Sequence, residues 1–370
     1  MLVAADKFKG SLTAVEVADR VTAGLRRTVP DLEVRALPVA DGGDGTVAAA
    51  LAAGFAPRDV RVRGPLGDAV TTRFALRDDT AVVEMAGASG LQRLPAGVFA
   101  ARTATSHGTG ELLRAALDAG ARTIVFGIGG SATTDGGAGM LSALGARFLD
   151  TAGEPVGPGG GGLLDLAAVD LSGLDPRFAE VDLILAGDVD NPLTGPRGAA
   201  AVYGPQKGAD AADVTALDTA LSRFAALMER ATGVRAAERA GAGAAGGVGY
   251  GALVALGARF RPGIEVMLEV LGFAAALEGA TLVVTGEGSL DGQTLHGKAP
   301  VGVAAAARAA GVEVVAVCGR LALSAGELER AGIRRAYALA ELEPDPARSM
   351  AQAGPLLERL AARLAEDRLV

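Results

Sequence analysis

Five times along this chain of 370 residues an apolar run gives way to glycine with an acid or a hydroxyl. This happens at Asp6, at Asp41 and Asp44, at Ser131 and Asp135, at Asp188 and Asp190, and at Glu287 and Asp291. Short apolar runs that alternate with helical periodicity predict β-α units on a parallel sheet. Residues just past the C-terminal ends of such strands line the ligand crevice of an open α/β sheet. The sequence therefore predicts one cleft, dense in carboxylates and backbone amides, with Lys7, Lys9 and Lys298 beside them.

The first two units read clearly. Leu2–Ala5 is a strand, Thr13 and Glu16 form a capping box, and Val17, Val21 and Leu25 hold helical spacing up to Pro30. Glu33–Val39 is the next strand, followed by an alanine-rich helix to Gly54. The pattern then changes to three alternating strands, Asp59–Arg63, Val70–Leu76 and Ala81–Met85, joined by short turns; this predicts an antiparallel meander. Further on, strands are expected at Thr123–Phe126, Val181–Ala186, Thr281–Thr285 and Val312–Val317. Helices are expected at Thr109–Gly120, Ala211–Thr232, Leu253–Leu256, Ile264–Leu271, from Pro300 and over Met350–Leu369, with Gly241–Gly251 as a loop. The last strands copy the strand–glycine–acid pattern of the first two, so they rejoin the first sheet. The predicted organisation is a discontinuous Rossmann-like domain, 1–62 plus 281–370, with a second α/β domain of mixed sheet, 63–280, inserted in it.

The stretch Thr123–Met140, TIVFGIGGSATTDGGAGM, carries six glycines between positions 127 and 139. Without a Cβ in the way, such a loop lets N–H groups approach an anion closely, and the helix expected after it favours negative charge at its start. Gly129, Gly130, Ser131, Gly136 and Gly137 are the candidate phosphate cradle; Asp135 is either linked to a metal or caps the turn. Residues 127–132 also fit G-x-G-x-x-A, but Thr133–Gly137 intervenes before the helix, which spoils a dinucleotide turn. Residues 292–299 read G-x-x-x-x-G-K-A, a P-loop without its metal-binding hydroxyl, which leaves Lys298 a phosphate role outside a true Walker motif.

Composition removes several classes. Net charge is −8, with no run of Lys or Arg, which argues against nucleic acid and anionic membrane as partners. The one long uncharged run, Ala240–Ala258, holds seven glycines and reads as a loop leading into a helix rather than a membrane span. A single cysteine, Cys318, fits a reducing compartment, and two distant histidines exclude a His/Cys zinc site. The first ten residues do not read as a signal peptide, so a cytoplasmic location is expected. Carboxylates beside a bound phosphate make sense with Mg²⁺ between them, and phosphoryl transfer is the reaction class that uses all these parts. Glu84 is a charge in an apolar strand, either on an exposed face or functional, and Asp44 either caps a helix or meets a ligand.

The motifs DKFKGSL (6–12), PVADGGDGT (38–46), EMAGASGL (84–91), TSHGTGEL (105–112), GIGGSATTDGGAGM (127–140), GDVDNPLTGPRGAA (187–200), VYGPQKGA (202–209) and TGEGSLDGQTLHGKAP (285–300) resemble, in order, the bacterial glycerate kinases. The resemblance implies a kinase that uses ATP and Mg²⁺ to phosphorylate D-glycerate, in the branch expected to form 2-phosphoglycerate. It also implies two α/β domains with the active site in the cleft between them. His107, Asp44 and Thr134 stand where family members carry Tyr, Glu and Asn, so no specific role is carried over to them. On this reading the Gly129–Gly137 loop and Lys298 hold phosphates, Glu287 and Asp291 hold Mg²⁺, and Lys7, Lys9 and Ser11 bind the glycerate carboxylate or the moving phosphoryl group. Asp41 lies with the substrate and phosphate ligands, and Asp188 or Asp190 takes the hydroxyl proton. A glycerate kinase that forms 3-phosphoglycerate, a non-catalytic hydroxy-acid binder and an NAD-linked dehydrogenase are the alternatives.

Overall fold

A computed structural model of the chain describes residues 1–369. In chain order the strands are β1 (Leu2–Val3), β2 (Arg35–Ala36), β3 (Ala56–Arg63), β4 (Ala69–Arg77), β5 (Thr80–Glu84), β6 (Thr123–Gly127), β7 (Arg147–Leu149), β8 (Ala168–Asp170), β9 (Asp182–Ala186), β10 (Arg259–Arg261), β11 (Leu282–Leu290), β12 (Glu313–Leu321) and β13 (Arg335–Ala338). The chain divides into two compact units. The first comprises residues 1–41, 48–54 and 262 onward; the second comprises 42–47 and 55–261.

The first unit is built on a five-stranded parallel sheet in the order β13-β12-β11-β1-β2. Side chains alternate across it, as a strand period of two requires. Val3, Ala5, Val284, Val315 and Val317 join one core with Val17, Val21 and Leu25 of the Ala14–Thr28 helix and Leu357, Leu360 and Leu364 of the Ala353–Leu369 helix. The other register of β11 and β12 faces the Ala299–Ala309 helix. Gly24 is what lets the first and last helices meet: a Cβ there would collide with the Glu358 carbonyl. Full burial of each Leu or Val on this face contributes about 1.5–3 kcal/mol. The Thr13–Glu16 capping box starts the first helix as its sequence predicts.

The second unit carries a six-stranded mixed sheet, β10-β9-β6-β5-β4-β3. β3, β4 and β5 form the expected antiparallel meander, and β5, β6, β9 and β10 run parallel. The capped Ala211–Thr232 helix adds Leu217, Leu221 and Phe224 to this unit's core.

Several expected elements differ. β2 is ladder-paired over Arg35–Ala36 alone, although Leu37 and Val39 still donate to Val3 and Ala5. β11 and β12 run beyond Thr285 and Val317 to Leu290 and Leu321, because the two extensions pair with each other, Ser289 opposite Arg320. The Gly241–Gly251 stretch is not a plain loop: a helix spans Ala244–Ala255, kinked where Ala245, Gly246 and Gly247 take positive φ. The unit boundaries fall near residues 54 and 261 rather than 62 and 280. β3 pairs with β4 along its length, and Arg35 donates to the carbonyls of Ala276 and Glu278, which ties that segment to the first sheet.

Candidate active site

In the first unit the acids gather at the C-terminal ends of the central strands. Asp6 follows β1, and its amide donates to the Gly286 carbonyl, so it stands level with Glu287 on β11. Burial raises the Asp6 carboxyl to about 7, and the Asp41 and Glu287 charges add to this while the Lys7 amide and charge oppose it. Glu287 is raised too, by burial first and then by Asp41 and Asp291. Against these act the Thr294 hydroxyl, which donates to Glu287 Oε1 at 2.5 Å, and Lys298, whose Nζ lies 3.8 Å from Oε2.

Asp291 is placed differently. Its Oδ1 accepts the Gln293 amide at 2.9 Å and its Oδ2 accepts the Ser289 hydroxyl at 3.1 Å. Burial pushes its pKa up, but these bonds and Lys298 outweigh burial and leave it below the ordinary value. Lys298 is the N-cap of the Ala299–Ala309 helix, preceded by Gly297 at φ +95°. Lys9 and Gly10 form the exposed tip of a tight turn that Phe8 and Leu12 close by mutual backbone bonds. Ser11 Oγ donates to the Phe8 carbonyl at 3.0 Å, so this hydroxyl shapes the turn.

Among the described residues no three His, Cys, Asp or Glu side chains converge to hold a metal. A donor set of one or two carboxylates is nonetheless what Mg²⁺ takes beside nucleotide phosphates, with water and phosphate oxygens completing its shell. Acids that raise one another's pKa fit a divalent cation, which relieves their repulsion.

In the second unit the register aligns Glu84 with Gly127 and Gly127 with Ala186, so three parallel strands end on one line. The 42–47 loop lies across that line. A Cβ at Gly127 would sit 2.7 Å from the Gly42 carbonyl oxygen, and one at Gly129 would sit 2.5 Å from Gly43 Cα. Glu84 clamps this loop: its Oε2 accepts the Gly45 and Val47 amides, both at 3.2 Å. Glu84 is therefore buried, not on an exposed face, and burial, with Asp44 next to it, raises its carboxyl to about 7. Asp44 itself accepts from Gln92 Nε2 at 3.0 Å.

The glycine stretch has two halves. Gly129 and Gly130 are accessible, and their amides donate to no protein group among the described residues. Ser131 through Ala138 are buried. Asp135 is fully buried and caps the turn: it accepts the Ser106 amide at 2.8 Å, the Ser106 hydroxyl at 2.9 Å, the Gly137 amide at 3.1 Å and the Gly139 amide at 3.3 Å. Gly136 and Gly137 are glycines for packing; a Cβ at Gly136 would lie 2.7 Å from the Phe224 ring. The helix after the stretch starts only at Ala138. Past β9, Asp188 and Asp190 are both exposed, and Asp190 lies 3.8 Å from Arg197.

The glycerate kinase family pattern matches residues 1–368. The chain belongs to the glycerate kinase family. It is 47% identical over 343 residues to a glycerate kinase from Bacillus subtilis (strain 168), covering 92% of this chain and 90% of that one. It is 44% identical over 342 residues to a protein named glycerate 2-kinase from Escherichia coli (strain K12), again covering 92% and 90%. A crystal structure from Salmonella typhimurium LT2 shares the fold with a TM-score of 0.86 at 43% identity, over 99% of this chain and 97% of that one. The glycerate kinase fold here is the α/β pair that the sequence predicts, one sheet parallel and one mixed. Among the described residues no helix is long and apolar enough to cross a membrane.

Two buried charges, one in each unit, have no role assigned to them by the sequence. Asp6 of the first unit is legible there only as one member of the strand–acid pattern. Lys207 is almost completely buried, and nothing in VYGPQKGA distinguishes a buried lysine from a solvated one.

Proposed function

We propose that this enzyme transfers the γ-phosphoryl group of ATP to the 2-hydroxyl of D-glycerate, forming 2-phosphoglycerate and ADP in the cytoplasm. The family membership over residues 1–368 carries the reading of a glycerate kinase. The likeness to a relative named glycerate 2-kinase supports the product.

The Gly129 and Gly130 amides, with Ser131, hold phosphate oxygens; two donors without protein partners at a strand end suit an anion. Lys298 supplies a point charge to the same chemistry from the start of its helix. Glu287 and Asp291 would hold Mg²⁺, Asp291 being oriented by the Ser289 hydroxyl and the Gln293 amide. Bound there, the cation would supply charge neutralisation for the nucleotide's phosphates. Asp6 and Asp41 add the negative potential that favours a divalent cation at this end of the sheet. Lys7 and Lys9 receive the glycerate carboxylate or the moving phosphoryl group, and Ser11, whose hydroxyl and amide both donate to the Phe8 carbonyl, shapes the turn that presents them. Asp188, the first acid after β9, orients the attacking hydroxyl and accepts its proton, a role that general-base catalysis assigns to a carboxylate within hydrogen-bond reach; Asp190 is the second choice. Asp135, Gly136 and Gly137 act on the phosphate by shaping the loop.

The test incubates the enzyme with ATP, Mg²⁺ and D-glycerate, then adds enolase alone. Immediate phosphoenolpyruvate marks the 2-phosphate. A requirement for phosphoglycerate mutase marks the 3-phosphate and overturns the regiochemistry.

A further inference from the structure

Lys207 ends a short turn of helix, Pro205–Lys207, and has only 1% of its surface exposed. Its Nζ donates to the Thr133 carbonyl at 2.6 Å. That carbonyl accepts no backbone N–H among the described residues, so the ammonium stands in for a missing main-chain donor. The turn it grips is closely confined. Cβ atoms at Gly246 and Gly160 would collide with the carbonyls of Thr133 and Thr134, and Gly136 donates to Gly246 at 3.0 Å. Burial lowers the Lys207 pKa to about 7, and the Asp135 charge opposes that fall. A buried ammonium is costly and needs a partner. An amide or hydroxyl could fill a purely structural place at less cost. What the ammonium reaches is the middle of the loop whose open end, Gly129–Gly130, has amides that donate to no protein group among the described residues.

We propose that Lys207 is a positioning residue for the phosphoryl transfer: by holding the Thr133 carbonyl beside Asp135, it keeps the Gly129–Ser131 donors in the geometry that receives the anionic group. This rests on the reading that the loop holds phosphate. Preorganised donors aimed at developing charge act without reorganisation cost, so a loop that relaxes loses rate more than binding.

Three variants test it. Lys207→Met removes charge and donor together. Lys207→Met/Asp135→Asn also removes the buried acid left without its cation, and this keeps the test usable where the single variant fails to fold. Ser131→Ala reports the loop's role by itself. The expected result is that the double variant still unfolds in one cooperative transition, at a lower temperature than the wild type because the Thr133 carbonyl and one Asp135 donor lose their partners, loses kcat at least 100-fold with KM for ATP changed less than 5-fold, and exchanges amide hydrogens faster over 129–137 than the wild type. Wild-type kcat or unchanged exchange in the folded double variant overturns the proposal and leaves Lys207 as a charge partner only. Unchanged kinetics in Ser131→Ala overturn the phosphate reading of the loop, and the proposal with it. Altered Ser131→Ala kinetics beside a fully active double variant remove Lys207 alone.

Discussion

Thr294 donates its hydroxyl to the Glu287 carboxylate across 2.5 Å, from a turn seven residues further along the chain. The same oxygen accepts the Asp291 amide at 3.0 Å, so one buried hydroxyl sets both acids assigned to the metal. Thr294→Val removes the donor and the acceptor at equal volume. Glu287, already raised by burial, loses an offsetting bond, and its ionised form becomes harder to hold. The Mg²⁺ concentration for half-maximal activity is expected to rise about 10-fold, on the scale of one charge-assisted hydrogen bond, while Thr294→Ser stays near wild type. A Mg²⁺ titration of initial rates reads this, and an unchanged midpoint in the valine variant removes Thr294 from the metal site.

Asp188 and Asp190 are separable by experiment. Asp190 is exposed and pairs with exposed Arg197 at 3.8 Å, an arrangement that contributes little in water. Asp188→Asn is expected to lower kcat by about 10²–10⁴ with KM for ATP nearly unchanged. Asp190→Asn is expected to stay within about 3-fold of wild type. The reverse order of effects in steady-state assays would exchange their roles.

Glu84 makes stability depend on pH. Its carboxyl lies near 7 in the folded chain against 4.5 ordinarily, and burial is the main cause. Between these values the folded state binds more protons than the unfolded chain, so stability falls as pH rises through that window. Gln at this position keeps an acceptor for the Gly45 and Val47 amides but cannot ionise. Relative to wild type, Glu84→Gln is expected to gain about 3 kcal/mol from below pH 4.5 to above pH 7. Urea melts at both ends of the window check this, and a difference that does not change with pH would sink it.

Asp135 is a structural keystone of the second unit. Its carboxylate serves four hydrogen-bond donors from two segments, and the Ser106 hydroxyl it accepts from receives the Met140 amide in turn at 2.9 Å. Asp135→Ala leaves these donors buried and unpaired, beside a buried lysine without its acid. A loss of roughly 3–5 kcal/mol is expected, seen as a drop in the urea midpoint with little change in slope. A variant within about 1 kcal/mol of wild type would show that water replaces the carboxylate.

The sequence alone determined the alternating units, the meander, the capping box at Thr13 and Glu16, and the families of acids and glycines at strand ends. These are local matters: period, turn chemistry and the order of motifs are all written within a few residues of one another. Only the tertiary structure decided which glycines lie open at the surface and which pack against a neighbour. Gly130 and Gly136 read alike in the sequence, yet Gly130 is exposed and Gly136 lies under the ring of Phe224, some ninety residues away. The same holds for the charges. Asp135 caps a turn, Asp6 faces Asp41 and Glu287, and Lys207 is buried against Thr133, because each pKa and each hydrogen bond depends on chain segments brought from far along the sequence. Burial and long-range pairing are properties of packing, and no spacing along the chain encodes them.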